Sequence, residues 1–423
     1  MSHPVTLIVV GAGGRGSGYA RYALEHPEEL EIVGVAEPRA FQREEMAKAH
    51  AIAPENVMTD WRELLDRPKF ADGVIIATQD AMHADPAVAL AAMGYHMLLE
   101  KPLAPSADEC RRIIAAVKEA GVLLGVGHVL RYTAYTQKLK AVLDSGRIGE
   151  IVSIQHLEPV GYWHQAHSYV RGNWRNEAES SSMLLAKSCH DVDWLRYIMG
   201  KPCRSVSSFG SLHHFRASEK PQGAGDHCLE CPQEVEHSCP YSAKRFYLGQ
   251  LEREQLSWPL NVISDDLTEA GVLRALETGP YGRCVYACDN DVVDHQVVNL
   301  TFADDTTASL TMTAFTRGRG RETHIFGTRG EIYGDSRLIR VFDFLTDTEE
   351  TIDTEHVSDG SILSGHGGGD FGLVKAFVQA IADNNPNAIL SGPDETLESH
   401  LMVFAAETAR KQGTVVRLEP ASL

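Results

Sequence analysis

The stretch VTLIVVGAGGRG, Val5–Gly16, limits the possible fold more than any other part of the chain. A short, β-branched and almost wholly apolar run is the pattern of a strand covered on both faces, as in parallel sheets flanked by helices. It leads straight into Gly11, Gly13, Gly14, Arg15 and Gly16, of which Gly11, Gly13 and Gly16 satisfy G-x-G-x-x-G. In that fingerprint the first glycine permits a tight turn, the second lets the backbone approach a diphosphate, and the third lets helix and strand pack closely. The helix predicted to open at Gly14 aims its free N–H groups and positive dipole end at the same spot.

The next segments agree with that start. The strand EIVGVAEP ends on Glu37, where a carboxylate meets ribose hydroxyls. Its charge repels a 2′-phosphate, so NAD is expected in preference to NADP, while Arg39 and Arg43 offset part of the repulsion. GVIIATQDAMH reads as another buried strand with Thr78, Gln79 and His83 at its end. Ser106-x-x-Glu109 forms a capping box for a helix closed by Gly121, and VLLGVGHV is one more strand. Strand–helix alternation of this kind specifies an α/β fold with a doubly wound parallel sheet, whose ligands bind outside the carboxyl ends of the strands.

One of those ends reads LLEKPL. Pro102 stops ladder pairing, so Glu100 and Lys101 sit where the strand leaves the sheet. An amine there has a use, because removing hydride from an alcohol requires the hydroxyl proton to leave as well. The expected cofactor wall is therefore Gly11, Gly13, Gly14, Arg15, Gly16, Glu37, Thr78, Gln79, His83, Glu100 and Lys101.

At 423 residues the chain exceeds the size of one core, so two domains are expected. A net charge of −19 argues against a nucleic-acid partner, since phosphate-backbone binders cluster Lys and Arg. No apolar run approaches the roughly 18 residues of a membrane span, and no basic region precedes the first apolar run. The expectation is a cytoplasmic protein without a membrane partner.

Taken in order, GAGGRG, AEP, ATQDAMH, EKP and SGRIGEI resemble the Gfo/Idh/MocA family of oxidoreductases. The resemblance implies an NAD(P)-binding Rossmann domain over residues 1–128. A substrate-binding and oligomerisation α/β domain with a large, open, mostly antiparallel sheet would occupy residues 129–423. It implies hydride transfer between the nicotinamide cofactor and a hydroxyl of a sugar, cyclitol or related polyol, with Lys101 near that hydroxyl, in a homodimer or tetramer.

The family's second signature, similar to G-G-x-L-x-D-x-G-x-H, falls on SSMLLAKSCH, Ser181–His190. His190 is kept as a second candidate catalytic group with Lys101, but the aspartate position is Ala186, beside Lys187. Lys187 either contacts substrate or faces solvent. Asp191 reads as a helix cap, and Asp193 as a group that orients His190 or touches substrate. The missing carboxylate leaves room for a second reading. In it, a glycoside hydrolase or lyase retains NAD, oxidises a sugar hydroxyl transiently and reverses that oxidation after elimination.

Substrate contacts are expected from several places. VLRY brings Arg131 and Tyr132 to the domain junction, where Arg131 either binds substrate oxygens or braces the interface. GYWHQAHSYVRGNWRN, read as a loop, carries Trp163, His164, His167, Tyr169, Arg171 and Trp174, ring and polar groups of the kind that line a carbohydrate site. GHGGGDF adds His366 and Asp370 before a helix. The expected substrate set is Arg131, Tyr132, His164, Arg171, Trp174, Lys187, Asp193 and His366.

From Cys203 to about Glu269 the pattern breaks down, which reads as a long irregular excursion with a Cys-rich insertion around 215–260. Cys228, Cys231 and Cys239 lie among His227 and His237. These are ligand types of a structural zinc, but the spacing matches no standard finger, and uncoordinated thiols are the alternative.

Overall fold

The apolar runs pair as their composition dictates. The computed structural model describes residues 3–355 and 366–418, the side chain of His366 excepted. β1 (Val5–Val10), β2 (Leu30–Ala36), β3 (Val57–Met58), β4 (Gly73–Ile76), β5 (His96–Leu99) and β6 (Leu124–Val126) form one parallel sheet in the order β3-β2-β1-β4-β5-β6. Leu7, Ile8, Val9, Ile75, Ile76, Leu98 and Leu99 are all fully buried, because helices cover both faces. The order reverses between β1 and β4, so the crevice opens where Gly11, Thr78 and Glu100 leave their strands.

The second sheet contains β7 (Ile151–Pro159), β8 (Cys203–Ser211), β9 (His295–Phe302), β10 (Thr307–Thr313), β11 (Glu322–Gly327), β12 (Gly330–Gly334), β13 (Leu338–Asp343), β14 (Thr348–Asp353) and β15 (Val415–Arg417). Its order is β14-β13-β12-β11-β7-β10-β9-β8-β15, and the β7–β10 pair is parallel while every other pair is antiparallel. A large, mostly antiparallel sheet is what the family resemblance implied. Among the described residues, no helix is long and apolar enough to cross a membrane.

The end of the chain returns to the first sheet. Helix Gly369–Ala382 buries Phe371, Leu373, Val374 and Phe377 in one core with Leu7, Tyr19 and Tyr22. Helix Pro393–Gln412 packs Met402, Val403 and Ala406 under the second sheet. The two units are thereby locked by helices contributed from the C-terminal third.

Two expectations about irregular segments need correction. The aromatic stretch is helical: one turn, Tyr162–His164, continues into π-helical Gln165–Arg171, whose side chains are all buried. Its aromatic and basic side chains masked a helical pattern that has few aliphatic residues. Cys203–Ser211 is strand β8, hidden in the sequence by the serines that fill its buried and half-buried positions. The insertion also carries helices, including Gln233–Ser238, Ala243–Glu252 and Glu269–Thr278, around a small core of Ala243, Tyr247, Leu260, Val272 and Leu276.

Candidate active site

The glycine turn forms a cradle at the head of helix Gly14–Glu25. Gly11 has φ +92°, and a Cβ there would meet the Ala77 carbonyl oxygen at 2.7 Å. A Cβ on Gly16 would stand 2.0 Å from the Gly11 carbonyl oxygen, so turn and helix touch. Above Gly14 a Cβ would meet nothing within 4 Å. The helix has no acidic residue in its first turn and no side-chain cap on Gly13, so its leading N–H groups remain available to an anion. These features fit a dinucleotide diphosphate.

Glu37 is buried at the end of β2. Its carboxylate accepts from the Ala12 amide at 2.8 Å, from the Arg39 amide at 3.0 Å, and from Arg39 Nε and Nη2 at 2.7 and 2.9 Å. Burial alone would raise its pKa, but hydrogen bonds from Arg39 and Ala12 outweigh that and hold the carboxyl below its usual range. Arg39 in turn lies near Gly13, beside the cradle.

Arg15 ties three segments together. Its Nε donates to Glu100 Oε1, its Nη2 to Tyr19 Oη at 2.6 Å, and its two terminal nitrogens to Asp370 at 2.7 and 3.2 Å. Glu100 and Asp370 are buried, so this guanidinium links the glycine turn, the end of β5 and helix Gly369–Ala382. His83, expected at the cofactor wall, is wholly buried instead: Nδ1 lies 2.8 Å from the Pro102 carbonyl and Nε2 3.2 Å from the Thr78 carbonyl. It positions the ends of β4 and β5 with both ring nitrogens engaged. Thr78 turns its hydroxyl onto the Met82 carbonyl at 3.2 Å, and Gln79 is exposed.

Lys101 leaves β5 beside the second domain. Its amine donates to the Ala186 carbonyl oxygen at 2.8 Å. Ala186 ends the short helix Met183–Ala186, and helix Cys189–Met199 begins three residues on with His190 buried in its first turn. His190 packs edge-on against His128, with ring centroids 5.8 Å apart. The amine is thereby held against the segment that leads into His190, four residues beyond Ala186.

Glu158, the partner of Lys187, and Arg321, which also pairs with Glu158, were missed from the sequence. Lys187 Nζ stands 3.1 Å from Glu158 Oε1, and Arg321 Nε 3.0 Å from Glu158 Oε2. Lys187 is thus neither loose in solvent nor unpartnered. Burial holds His164 well below its usual pKa, with Lys187, His167 and Lys101 adding to the effect. Burial raises Tyr169, and the Glu158 and Asp80 charges push it further. A signal was present: Glu158 shares the buried side of β7 with Ile154 and His156, an unusual place for a charge.

Several expected substrate contacts turn out to hold the protein together. Arg131 is wholly buried and donates to Asp193 at 2.7 and 2.8 Å and to Glu395 Oε2 at 2.6 Å, the contacts of an interface brace. Asp193 also accepts from Ser399 at 2.9 Å and lies 3.6 Å from His128 Nε2, the ring that packs on His190. Tyr132 Oη accepts from the Leu390 and Ser391 amides at 2.9 and 3.0 Å. Arg171 is buried and donates to the Arg283 and Tyr241 carbonyls at 2.7 Å. Asp191 does not cap its helix. It is buried against Arg321 and lies 3.1 Å from His156 Nε2, and these partners outweigh burial to keep it ionised. His164 packs on Tyr169 and Trp258 at ring distances of 5.7 and 5.0 Å, and Trp174 packs on Tyr169 at 6.1 Å. The side chain of His366 lies outside the described residues, while Asp370 takes part in the Arg15 linkage. Cys228, Cys231 and Cys239 line a separate cavity in the insertion.

A parallel sheet with a glycine cradle at its switch point, joined to a nine-stranded sheet that supplies a polar pocket wall, defines a two-domain nicotinamide-dinucleotide-binding chain. The chain belongs to the Gfo/Idh/MocA oxidoreductase family: residues 5–128 match its NAD-binding Rossmann fold and residues 140–418 its C-terminal alpha/beta domain. It is 30% identical over 216 residues to scyllo-inositol 2-dehydrogenase (NAD(+)) of Bacillus subtilis, a match covering 50% of this chain and 59% of that protein. It is 29% identical over 204 residues to 2,7-anhydro-N-acetylneuraminate hydratase of Escherichia coli, covering 48% and 51%. The matched stretches thus span little more than half of these curated relatives. A structure of levoglucosan dehydrogenase in complex with NADH has the same fold, with a TM-score of 0.72 at 19% identity over 99% of this chain and 100% of that one.

Proposed function

We propose that this protein transfers hydride between NAD and a hydroxyl of a sugar, cyclitol or related polyol. The observation that carries the reading is the placement of the Lys101 amine, at the carboxyl end of β5 and hydrogen-bonded to Ala186 O. Gly11–Gly16 would hold the diphosphate and Glu37 the ribose, and NAD when bound supplies a hydride acceptor. Lys101 takes the proton of the hydroxyl being oxidised and returns it in the reverse direction. The Ala186 carbonyl keeps the amine aimed at the pocket, and His190 hydrogen-bonds the same hydroxyl. Glu158, held by Lys187 and Arg321, offers the carboxylate that Ala186 lacks. The Bacillus subtilis and Escherichia coli relatives act on cyclic polyhydroxylated or anhydro-sugar compounds by their names, which supports the substrate class.

Incubation with NAD and a panel of aldoses, inositols and sugar acids tests this. Ultraviolet absorbance of reduced cofactor should appear with at least one member, and its absence across the panel defeats simple dehydrogenation.

One observation favours a second reading. The Escherichia coli relative is named a hydratase, a reaction without net redox change. A lyase or glycoside hydrolase that retains NAD would change its sugar substrate with no net reduced cofactor, and chromatography of the same incubations distinguishes the two.

We further propose a homo-oligomer, a dimer or tetramer, formed across the open second sheet, where Phe209 on β8 is 66% exposed. A cytoplasmic location suits the eight unpaired cysteines, which belong in a reducing compartment.

A further inference from the structure

The insertion draws together cysteines that lie far apart in the chain. Cys228, Cys231, Cys239 and Cys284 all line one small cavity, together with His227, Tyr241 and Tyr286. Only the first three are close in sequence; Cys284 arrives from 45 residues beyond Cys239. A backbone bridge between His227 and Arg283 delivers it. The Cys228 amide donates to the Gly282 carbonyl and the Cys284 amide to the Asp226 carbonyl, both at 2.8 Å. Of the other four cysteines, Cys110, Cys189 and Cys203 are buried in the cores of the two sheets, and Cys288 donates to the Cys284 carbonyl at 3.2 Å. The clustering is therefore selective.

Donors converge on one of these sulfurs. Cys228 Sγ accepts from the Ala243 amide, the first residue of helix Ala243–Glu252, at 3.4 Å, and from Arg171 Nη2 at 3.6 Å. Donors of this kind commonly steady metal-bound sulfur. His227 Nδ1 is buried in the same wall without a hydrogen-bond partner. The insertion's own core is small, and small units of this kind commonly need a staple.

We propose that Cys228, Cys231, Cys239 and Cys284 hold a thiolate-bound metal centre that fastens the insertion against the helical segment Gln165–Arg171. Zinc and an iron–sulfur cluster both use four cysteine thiolates. Among the described residues, the group of three or more ligand-type side chains with atoms already within 4.8 Å of one another is His26, Glu28 and Glu29. The thiols are set wider than that, so a single ion draws them inward or a cluster fills the gap. Either way four thiol protons are released, and no oxidant is consumed in binding zinc. Arg171 carries the consequence toward the pocket: it touches Cys228 and the Tyr241 carbonyl, while Trp258 of the insertion packs on His164 with ring centroids 5.0 Å apart.

Elemental analysis of the full chain, purified without oxygen or chelator, tests the proposal. About one zinc per chain, or iron with acid-labile sulfide, is expected. Cys284→Ser should lose most of that metal and Cys110→Ser should keep it. Where Cys284→Ser does not fold, an organomercurial added to the native chain should release the metal in step with thiol modification. Background metal in the native chain, a metal content unchanged in folded Cys284→Ser, or a native disulfide among these four cysteines each overturns the proposal. Zinc assigns a single ion, and iron with sulfide assigns a cluster.

Discussion

The Lys101 amine donates to the backbone carbonyl of Ala186 at 2.8 Å, across the boundary between the two domains. At the position where the family signature has a carboxylate, this chain offers Lys101 a main-chain oxygen instead. A carbonyl orients the amine without forming an ion pair with it. Lys101→Met should therefore lower kcat by about 10²- to 10⁴-fold, the range for removing a general acid–base group. NAD affinity, measured by fluorescence titration, should change by less than about threefold, or about 0.65 kcal/mol. A variant that turns over normally would remove Lys101 from the proposed mechanism.

Glu158 connects the pocket to two cations, Lys187 and Arg321. If it supplies the carboxylate missing at Ala186, Glu158→Gln keeps the shape and removes the charge. The expected loss is about 10- to 100-fold in kcat/KM, or roughly 1.4–2.7 kcal/mol, as for a charge-assisted hydrogen bond to substrate. Lys187→Met should raise KM more than it lowers kcat. A change in melting temperature with unaltered kinetics would assign the pair to structure alone.

Cofactor choice depends on the pairing of Glu37 with Arg39. Replacing the carboxylate in Glu37→Gln removes the group that repels a 2′-phosphate and frees Arg39, with Arg43 nearby, to attract it. The NADP-to-NAD affinity ratio should rise by about 10- to 100-fold, the effect of one charged hydrogen bond. Isothermal titration with both cofactors measures it, and an unchanged ratio would show that Glu37 does not select.

Arg131 illustrates the difference between a residue near the crevice and a residue of the site. It is wholly buried with Asp193, and burial alone would destabilise both charges; each holds the other ionised. Arg131→Met strands Asp193 and should cost about 3–5 kcal/mol of stability. Denaturant unfolding would register that loss, while KM of the folded fraction stays within about twofold, under half a kcal/mol. A higher KM at unchanged stability would restore Arg131 to the substrate.

The first sheet was legible because its signals are local. A β-branched run, a glycine turn and a carboxylate at the next strand end lie within 33 residues, Val5–Glu37, and each has one physical reading. Lys101 was legible for the same reason, since Pro102 marks the strand end. Glu158, Arg321 and Cys284 were not, because their meaning depends on partners: Glu158 and Arg321 are 163 residues apart in sequence yet 3.0 Å apart in space. Strand β8 was obscured by serines in buried positions, and the π-helical turn by rings and charges that resemble a binding loop. Arg131 and Asp193 show the opposite case. Charged side chains beside a crevice suggest ligand contact until their ion-pair partners are known.

Buried histidines, His128 and His400 beside His164 and His167, make stability depend on pH. His128 is held down to about 3 and His400 to about 4, in both cases mainly by burial. An unfolded histidine titrates near 6.5, so below that pH the unfolded chain binds protons that the folded chain refuses. The contribution of each group is complete above about pH 6.5 and is lost as pH falls toward the folded values, by up to about 1.4 kcal/mol per group and pH unit. His400 cannot relieve this by rotating freely, because Nε2 accepts from the Leu103 amide at 2.9 Å and Nδ1 lies 2.8 Å from the Thr396 carbonyl. Melting temperature should therefore fall between about pH 6.5 and pH 5, above the range in which ordinary carboxylates titrate. His128→Asn should flatten that slope. A wild-type melting temperature that stays level across this interval would mean that both imidazoles gain protons in the folded protein.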